Sequence, residues 1–251
     1  MKKVALITGG SAGLGVDFAR QLSARGHRLV LVARRKDRLD ALAEELGNAR
    51  ALAIDLSKAN AATKVMADLG AAGEEVEVLV NNAGFGLIGR FAKRDPKQLR
   101  RMIDLNVGAL TDLCRAVAPR MIERKSGSIL NVASTAAFQP GPNMAVYFAS
   151  KAFVLSLSEA LHEEMKPHGV RVTCLCPGPT RTEFGEVAGF GGSGLFERVA
   201  MESPRVVEVG LKALDRNKAV VVAGALNRIG AASTRFAPRA VVRKIAGAIK
   251  Y

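Results

Sequence analysis

Apolar positions along this chain come in two alternating textures. Short runs rich in aliphatic side chains read as strands, and between them apolar residues recur at helical spacing. The first run, Lys3-Val4-Ala5-Leu6-Ile7-Thr8, is followed by glycines and a helical pattern over 14–23. A second strand is predicted over 27–32, a polar-faced helix over 36–46 and a third strand over 49–54. Helix 58–69 and strand 76–81 follow, then helices over 96–103 and 107–123 and a strand over 127–132. The long helix 145–165, strand 170–176, helix 204–216 and a last strand over 219–222 complete the pattern. Strands alternating with helices through short loops predict a parallel α/β sheet with helices on both faces. There is no linker, low-complexity tract or internal repeat, so residues 1–251 are expected to form one domain.

Composition narrows the class. At 251 residues and 49% hydrophobic the chain can bury a large core, and no apolar stretch reaches the roughly 18 residues of a membrane helix. The apolar run after Lys2-Lys3 covers only Val4 to Ile7, shorter than the ~7–15 residues of a secretory signal, so the expected location is cytoplasmic. Cys114, Cys174 and Cys176 do not form a disulfide framework, and His27, His162 and His168 have no metal-ligand spacing. Buried, inert thiols and no metal are expected. The formal charge of +14 suits nucleic acid, anionic lipid or a phosphorylated ligand, but also ordinary solubility.

Candidate chemistry starts at the first turn, Thr8-Gly9-Gly10-Ser11-Ala12-Gly13-Leu14-Gly15, which leaves a strand and opens a helix. Glycines there let the backbone approach a pyrophosphate seated on the helix N-terminus, so this turn is read as a nucleotide cradle. Nineteen positions beyond Gly15 stands Arg34, flanked by Ala33, where an acidic residue would select NAD, and by Arg35. A guanidinium fork suits a 2′-phosphate, and cations at a helix N-terminus oppose the dipole, so the pattern points to NADP. Ser11 is a minor candidate donor. Asp55-Leu56 ends the third strand, where the carboxylate either caps the next helix or meets the adenine amine. Asn81-Asn82-Ala83-Gly84 ends the fourth on the same carboxyl edge, where ligands collect in open α/β sheets. In Tyr147-Phe148-Ala149-Ser150-Lys151 a phenol and an ammonium share one helix face, and the cation is expected to lower the phenol toward working pH.

These motifs resemble the short-chain dehydrogenase/reductase superfamily in its single-domain, NADP-preferring form. The resemblance rests on Thr8-Gly9-x-x-x-Gly13-x-Gly15, Asp55, Asn81-Asn82-Ala83-Gly84, Asn106, Ser134, Tyr147-x-x-x-Lys151 and Pro177-Gly178, in order over about three-quarters of the chain. It implies a doubly wound Rossmann fold with seven parallel strands in the order 3-2-1-4-5-6-7. It also implies an NADP(H)-dependent oxidoreductase acting on a carbonyl or secondary alcohol. By resemblance Tyr147 is the general acid or base, Lys151 lowers its pKa and meets the nicotinamide ribose, and Ser134 donates to the substrate oxygen. Asn106 corresponds to the helix-interrupting asparagine of a water relay, and Pro177, Gly178 and Thr180 to the wall beside the nicotinamide. Ala12 stands where some NADP-using relatives carry a basic residue, so the cofactor preference rests mainly on Arg34.

From Arg181 the resemblance thins. Residues 180–203 mix glycines with Phe184, Phe190, Leu195 and Phe196 and are expected to form a flap over an apolar substrate such as a ketoacyl or other ketone compound. Residues 225–251 carry Arg228, Arg235, Arg239, Arg243, Lys244 and Lys250 and no acid, +6 of the +14. Pro238 fits a helix start, with Val241, Val242, Ile245 and Ile249 as its apolar stripe. Packing on the domain or a partner subunit is the expected role of this basic tail, with peripheral contact to an anionic membrane as the alternative. By analogy with relatives, helices 107–123 and 145–165 pair subunits into a homodimer or homotetramer, and no nucleic-acid partner is expected. The competing function is an NADP-binding regulator or sensor that uses its basic surface on a partner.

Overall fold

The computed structural model describes residues 1–188 and 200–248. Seven strands, β1 (Lys2–Thr8), β2 (Arg28–Ala33), β3 (Ala49–Ala53), β4 (Glu74–Asn81), β5 (Gly127–Val132), β6 (Val170–Cys176) and β9 (Val220–Val222), form one sheet. Their order is β3-β2-β1-β4-β5-β6-β9 and every pairing is parallel. The expected order therefore holds, with β9 as the seventh strand. Two further pieces, β7 (Thr180–Arg181) and β8 (Met201–Glu202), make a separate two-residue parallel ladder.

Period-two alternation decides which face each strand residue covers. Val4 and Leu6 of β1 and Val30 and Val32 of β2 pack with helices α3 (Ala61–Ala71), α5 (Leu110–Glu123) and α6 (Ala145–Met165). Ala5, Ile7, Leu29 and Leu31 point the other way, to α1 (Leu14–Ala24), α2 (Lys36–Leu46) and the helix Ser203–Asp215. Cys174 and Cys176 share one face as expected, with their sulfurs 3.8 Å apart and both buried. Burial pushes the Cys114 thiol up to about 12, and a hydrogen bond with Cys174 together with burial raises Cys176, so these thiols stay protonated. No metal-binding cluster occurs among the described residues, and no described helix is long and apolar enough to cross a membrane.

The helix predicted from 58 begins at Ala61, because Asn60 takes a left-handed conformation (φ 59°) that a helix interior rejects. The helix predicted over 107–123 is divided into a π-helical turn, Asp104–Ala109, and α5. Helix α4 (Pro96–Ile103) leads into that turn, with Asp95 as its N-cap accepting from the Lys97 amide at 2.9 Å.

A buried chain of side chains crosses from sheet to helix. Asn81 Nδ2 donates to Asn131 Oδ1 at 2.9 Å, and Asn131 Nδ2 donates to Ser158 Oγ at 3.0 Å. Asn131 and Ser158 are fully buried, so this link between β4, β5 and α6 fixes where α6 lies on the sheet.

Of the segment 180–203, the described part holds β7, β8 and a short helix α7 (Glu183–Ala188). Phe190, Leu195 and Phe196 lie outside the described residues. The helix Ser203–Asp215, α8, is followed by α9 (Ala225–Ser233) and α10 (Arg239–Ala248). The expected stripe on α10 is corrected. Val242 and Ala246 are the buried positions, whereas Val241 and Ile245 are exposed. Residues 242 and 246 are four apart and so share the face turned to the protein, while Ile249 lies outside the described residues.

Candidate functional site

The carboxyl ends of the parallel strands open into a cavity of about 600 Å³. It sits where strand order reverses between β1 and β4, the place where open α/β sheets leave a crevice.

One wall is the first turn. Gly9 (φ 69°) and Gly13 (φ 52°) take left-handed conformations that a side chain would strain. Gly15 does not line the cavity. A methyl there would stand 2.1 Å from the Gly9 carbonyl oxygen, so this glycine lets helix α1 close against the turn. Among the described residues the amides of Ser11, Ala12 and Gly13 meet no protein acceptor, which leaves donors at the start of α1 for an anion. The turn is tied to β4 through Asn82, whose Nδ2 donates to the carbonyls of Thr8 (3.0 Å) and Gly9 (3.3 Å). Thr8 Oγ1 in return accepts from the amides of Asn82 and Ala83, each at 3.0 Å. The Asn82 side chain thus holds the turn, while Ala83 and Gly84 line the cavity.

The basic edge comes from the end of β2. Arg34 and Arg35 both line the cavity, and they differ in what holds them. Arg35 Nε donates to Ser11 Oγ at 3.3 Å, and its Nη2 to the Ser11 carbonyl at 3.2 Å. Its Nη1 meets Glu183 Oε2 at 3.0 Å. Arg34 is exposed and, among the described residues, has no hydrogen-bond or ion-pair partner. A free guanidinium beside a held one, next to a serine hydroxyl, is a donor set that fits a phosphate monoester. Asp55 and Leu56 complete this end. Asp55 does not cap α3. Its Oδ1 accepts from the Ser57 amide (3.1 Å) and hydroxyl (2.7 Å), and its Oδ2 from Arg101 (3.0 Å). Partial burial works against its charge, but the Ser57 hydrogen bonds and the Arg101 and Arg34 cations outweigh that and hold the carboxyl below its usual range.

At the other end Ser134, Tyr147 and Lys151 come together. Ser134 follows β5 and is held by neighbouring backbone, with Oγ accepting from Ala136 N at 3.1 Å and Thr135 N donating to the Pro177 carbonyl at 2.8 Å. Tyr147 and Lys151 lie one turn apart on α6, 8% and 6% exposed. Lys151 Nζ donates to the Val132 carbonyl at 2.9 Å. The expected electrostatics are corrected here. Burial pushes the Tyr147 phenol up to about 12, with a Ser134 hydrogen bond pulling the other way, and burial brings the Lys151 ammonium down to about 8. For both groups the lost hydration outweighs the partner.

Asn106 does not line the cavity. It is buried in the π-helical turn, where Nδ2 donates to the Phe85 carbonyl (3.0 Å) and Ser150 Oγ (3.1 Å). Its Oδ1 accepts from the Phe85 amide at 3.1 Å. Since Ser150 Oγ donates to the Tyr147 carbonyl at 2.7 Å, Asn106 positions α6 and the segment after Gly84, and its hydrogen bonds go to Phe85 and Ser150 rather than to Lys151. Pro177, Gly178 and Thr180 line the cavity, with Thr180 Oγ1 donating to the Gly178 carbonyl at 2.9 Å.

Sequence reasoning missed the residues that shape both ends. Met102, Met144, Phe148 and Phe85 join Phe184, which the sequence had singled out for the flap, in an apolar cluster around Tyr147, with the Phe184 and Tyr147 ring centres 5.6 Å apart. Glu183 and Arg101 were missed because their partners lie 148 and 46 positions away in the chain. Opposite charge was the only local signal, and it does not choose among many partners.

A family model described as short chain dehydrogenase matches residues 3–189. The NADP-dependent 3-hydroxy acid dehydrogenase YdfG of Salmonella typhi is 39% identical over 187 residues, 73% of this chain and 75% of that protein. A short-chain dehydrogenase from Sphingobium yanoikuyae, solved in complex with NADPH, superposes with a TM-score of 0.82 at 34% identity, covering 100% of this chain and 97% of that one. A 3-ketoacyl-(acyl-carrier-protein) reductase from Brucella melitensis, solved with NADH, gives 0.78 at 30% identity over 88% and 96% of the two chains.

Proposed function

Because the chain belongs to the short-chain dehydrogenase family, whose members are oxidoreductases that bind a nicotinamide cofactor, we propose that it is an NADPH-dependent reductase of apolar ketones. The observation that carries this reading is a single cavity with Arg34 and Arg35 at one end and Ser134, Tyr147 and Lys151 at the other. The solved relatives above divide between NADPH and NADH, so the choice rests on residues rather than kinship. Arg34, which among the described residues has no hydrogen-bond or ion-pair partner, Ala33 in place of an acid, and Arg35 beside Ser11 favour the phosphorylated form.

When bound, the nicotinamide supplies or accepts the hydride. The glycine turn and the amides of Ser11, Ala12 and Gly13 would hold its pyrophosphate, and Gly178 and Thr180 its nicotinamide end. Tyr147 keeps its proton at neutral pH and can give it to a carbonyl oxygen, which suits the reducing direction. Ser134 is placed to donate to the same oxygen, and the Lys151 charge favours the phenolate left behind. Asn106 acts as a positioning residue through Phe85 and Ser150. The apolar cluster around Tyr147 selects a hydrophobic ketone, with a ketoacyl chain the first class to try.

The 180–203 segment is the flap of this reading, residues 1–251 its single catalytic domain, and α5 and α6 the surface for pairing in a homodimer or homotetramer. The regulator alternative is not favoured, since a sensor has no use for a proton donor buried beside a serine and a lysine. An NADPH-oxidation screen across ketone classes, with Tyr147→Phe as control, tests the reading. Turnover is expected with apolar ketones and is expected to vanish in the variant; turnover independent of Tyr147 would overturn the assignment.

A further inference from the structure

The carboxylate of Glu183 bridges two guanidiniums at the basic end of the cavity. Its Oε2 accepts from Arg35 Nη1 at 3.0 Å and its Oε1 from Arg38 Nη1 at 2.6 Å. Both Glu183 and Arg35 line the cavity, and Arg35 is also bound to Ser11 of the nucleotide turn. Hydrogen bonds from Arg38 and Arg35 hold the Glu183 carboxyl below its usual range, so it is charged at neutral pH. A carboxylate and a phosphate monoester use the same donors on a guanidinium fork.

We propose that Glu183 is a built-in rival of the cofactor's 2′-phosphate and thereby sets how strongly the chain prefers NADPH over NADH. The inference rests on the NADPH reading above. A phosphate taken up by Arg34 and Arg35 must either displace the Glu183 carboxylate from Arg35 or stand beside it, and in both cases the negative charge opposes binding. NADH brings no charge to this position and meets no such opposition. The rivalry has a geometric consequence too. Glu183 and Phe184 are consecutive at the start of α7, one on the arginines and the other against the Tyr147 ring. Whatever displaces Glu183 acts on the residue next to the one that covers the phenol.

The test is direct nucleotide binding, followed by the fluorescence of the reduced nicotinamide, on the wild-type chain, Glu183→Gln, Glu183→Ala and Arg34→Ala. Removing the exposed charge is expected to tighten NADPH by about three- to tenfold, a size typical of a near-surface charge pair, and to leave NADH within about twofold. Thermal melts show that each variant is folded, and high salt is expected to shrink the NADPH gain. Unchanged NADPH affinity in both Glu183 variants, or an equal change for NADPH and NADH, would overturn the proposal. The two readings fail separately. A wild-type chain that binds both nucleotides equally, with Arg34→Ala weakening both alike, removes the NADPH preference. A preference lost in Arg34→Ala but unmoved in both Glu183 variants removes only the rivalry.

Discussion

The ammonium of Lys151 stands 5.9 Å from the centre of the Tyr147 ring, yet its hydrogen bond goes to the Val132 carbonyl at 2.9 Å. Proximity alone suggests that the cation acidifies the phenol. Burial decides otherwise, raising the phenol to about 12 and lowering the ammonium to about 8. A proton held this firmly suits donation. Tyr147→Phe is therefore expected to reduce ketone turnover by about 10²–10⁴-fold, the usual worth of a general acid, with NADPH affinity within about twofold. Stopped-flow reduction with parallel nucleotide titration checks both, and retained turnover would remove the phenol from the chemistry.

Lys151 gives a pH dependence with a definite sign. Its folded pKa of about 8 lies below its ordinary 10.5, so between these values the unfolded chain binds more protons and stability rises with pH. At neutral pH the full cost of burying the charge is present, about 3 kcal/mol for a fall of this size. Lys151→Met removes that cost and loses one hydrogen bond worth about 1 kcal/mol. The variant is expected to melt about 2–8 °C higher at pH 7 while losing ketone reduction. In the wild-type chain reduction is expected to decline as pH rises through about 8. A variant that melts lower would show that the buried ammonium is better paired than its one hydrogen bond implies.

Asn131→Ala breaks the buried chain from Asn81 to Ser158, leaving Asn81 with the Cys114 sulfur and Ser158 with the Val154 carbonyl as their remaining partners. Two buried hydrogen bonds at about 0.5–1.5 kcal/mol each are lost, so a loss of roughly 1–3 kcal/mol is expected by urea denaturation. Because Ser158 is on α6 with Tyr147 and Lys151, kcat should fall more than KM rises. A stability change below about 0.5 kcal/mol would contradict the linking role.

Gly15→Ala places a methyl 2.1 Å from the Gly9 carbonyl oxygen, a clash with backbone that no rotamer relieves. The expected result is about 1–3 kcal/mol of overpacking strain, with NADPH and NADH weakened alike by more than about tenfold. Weakening of NADPH alone would point to Arg34 and away from the turn. Isothermal titration with each nucleotide separates the two outcomes.

Much of the fold is legible in the chain because its signals are local. Helices Lys36–Leu46, Pro96–Ile103 and Ala145–Met165 and strands Gly127–Val132 and Val170–Cys176 have the bounds their patterns predict. Side-chain period and turn formers act over a few residues, and parallel strands then send their carboxyl ends to one edge. That edge brings together the turn from Gly9, Asp55 and residues 82–84; Ser134 and Thr180 were joined to them by the family resemblance.

The Tyr147–Lys151 spacing, the glycine turn and Arg34 were therefore fixed by sequence. Tertiary structure alone decided what burial does to the phenol and the ammonium, since desolvation depends on everything packed around a group. It also drew Asn82 and Asn106 into holding backbone and set Glu183 on Arg35, a pairing across 148 positions that no local pattern announces. Contacts of that range are chosen by the packing of whole elements, and only the folded chain records the choice.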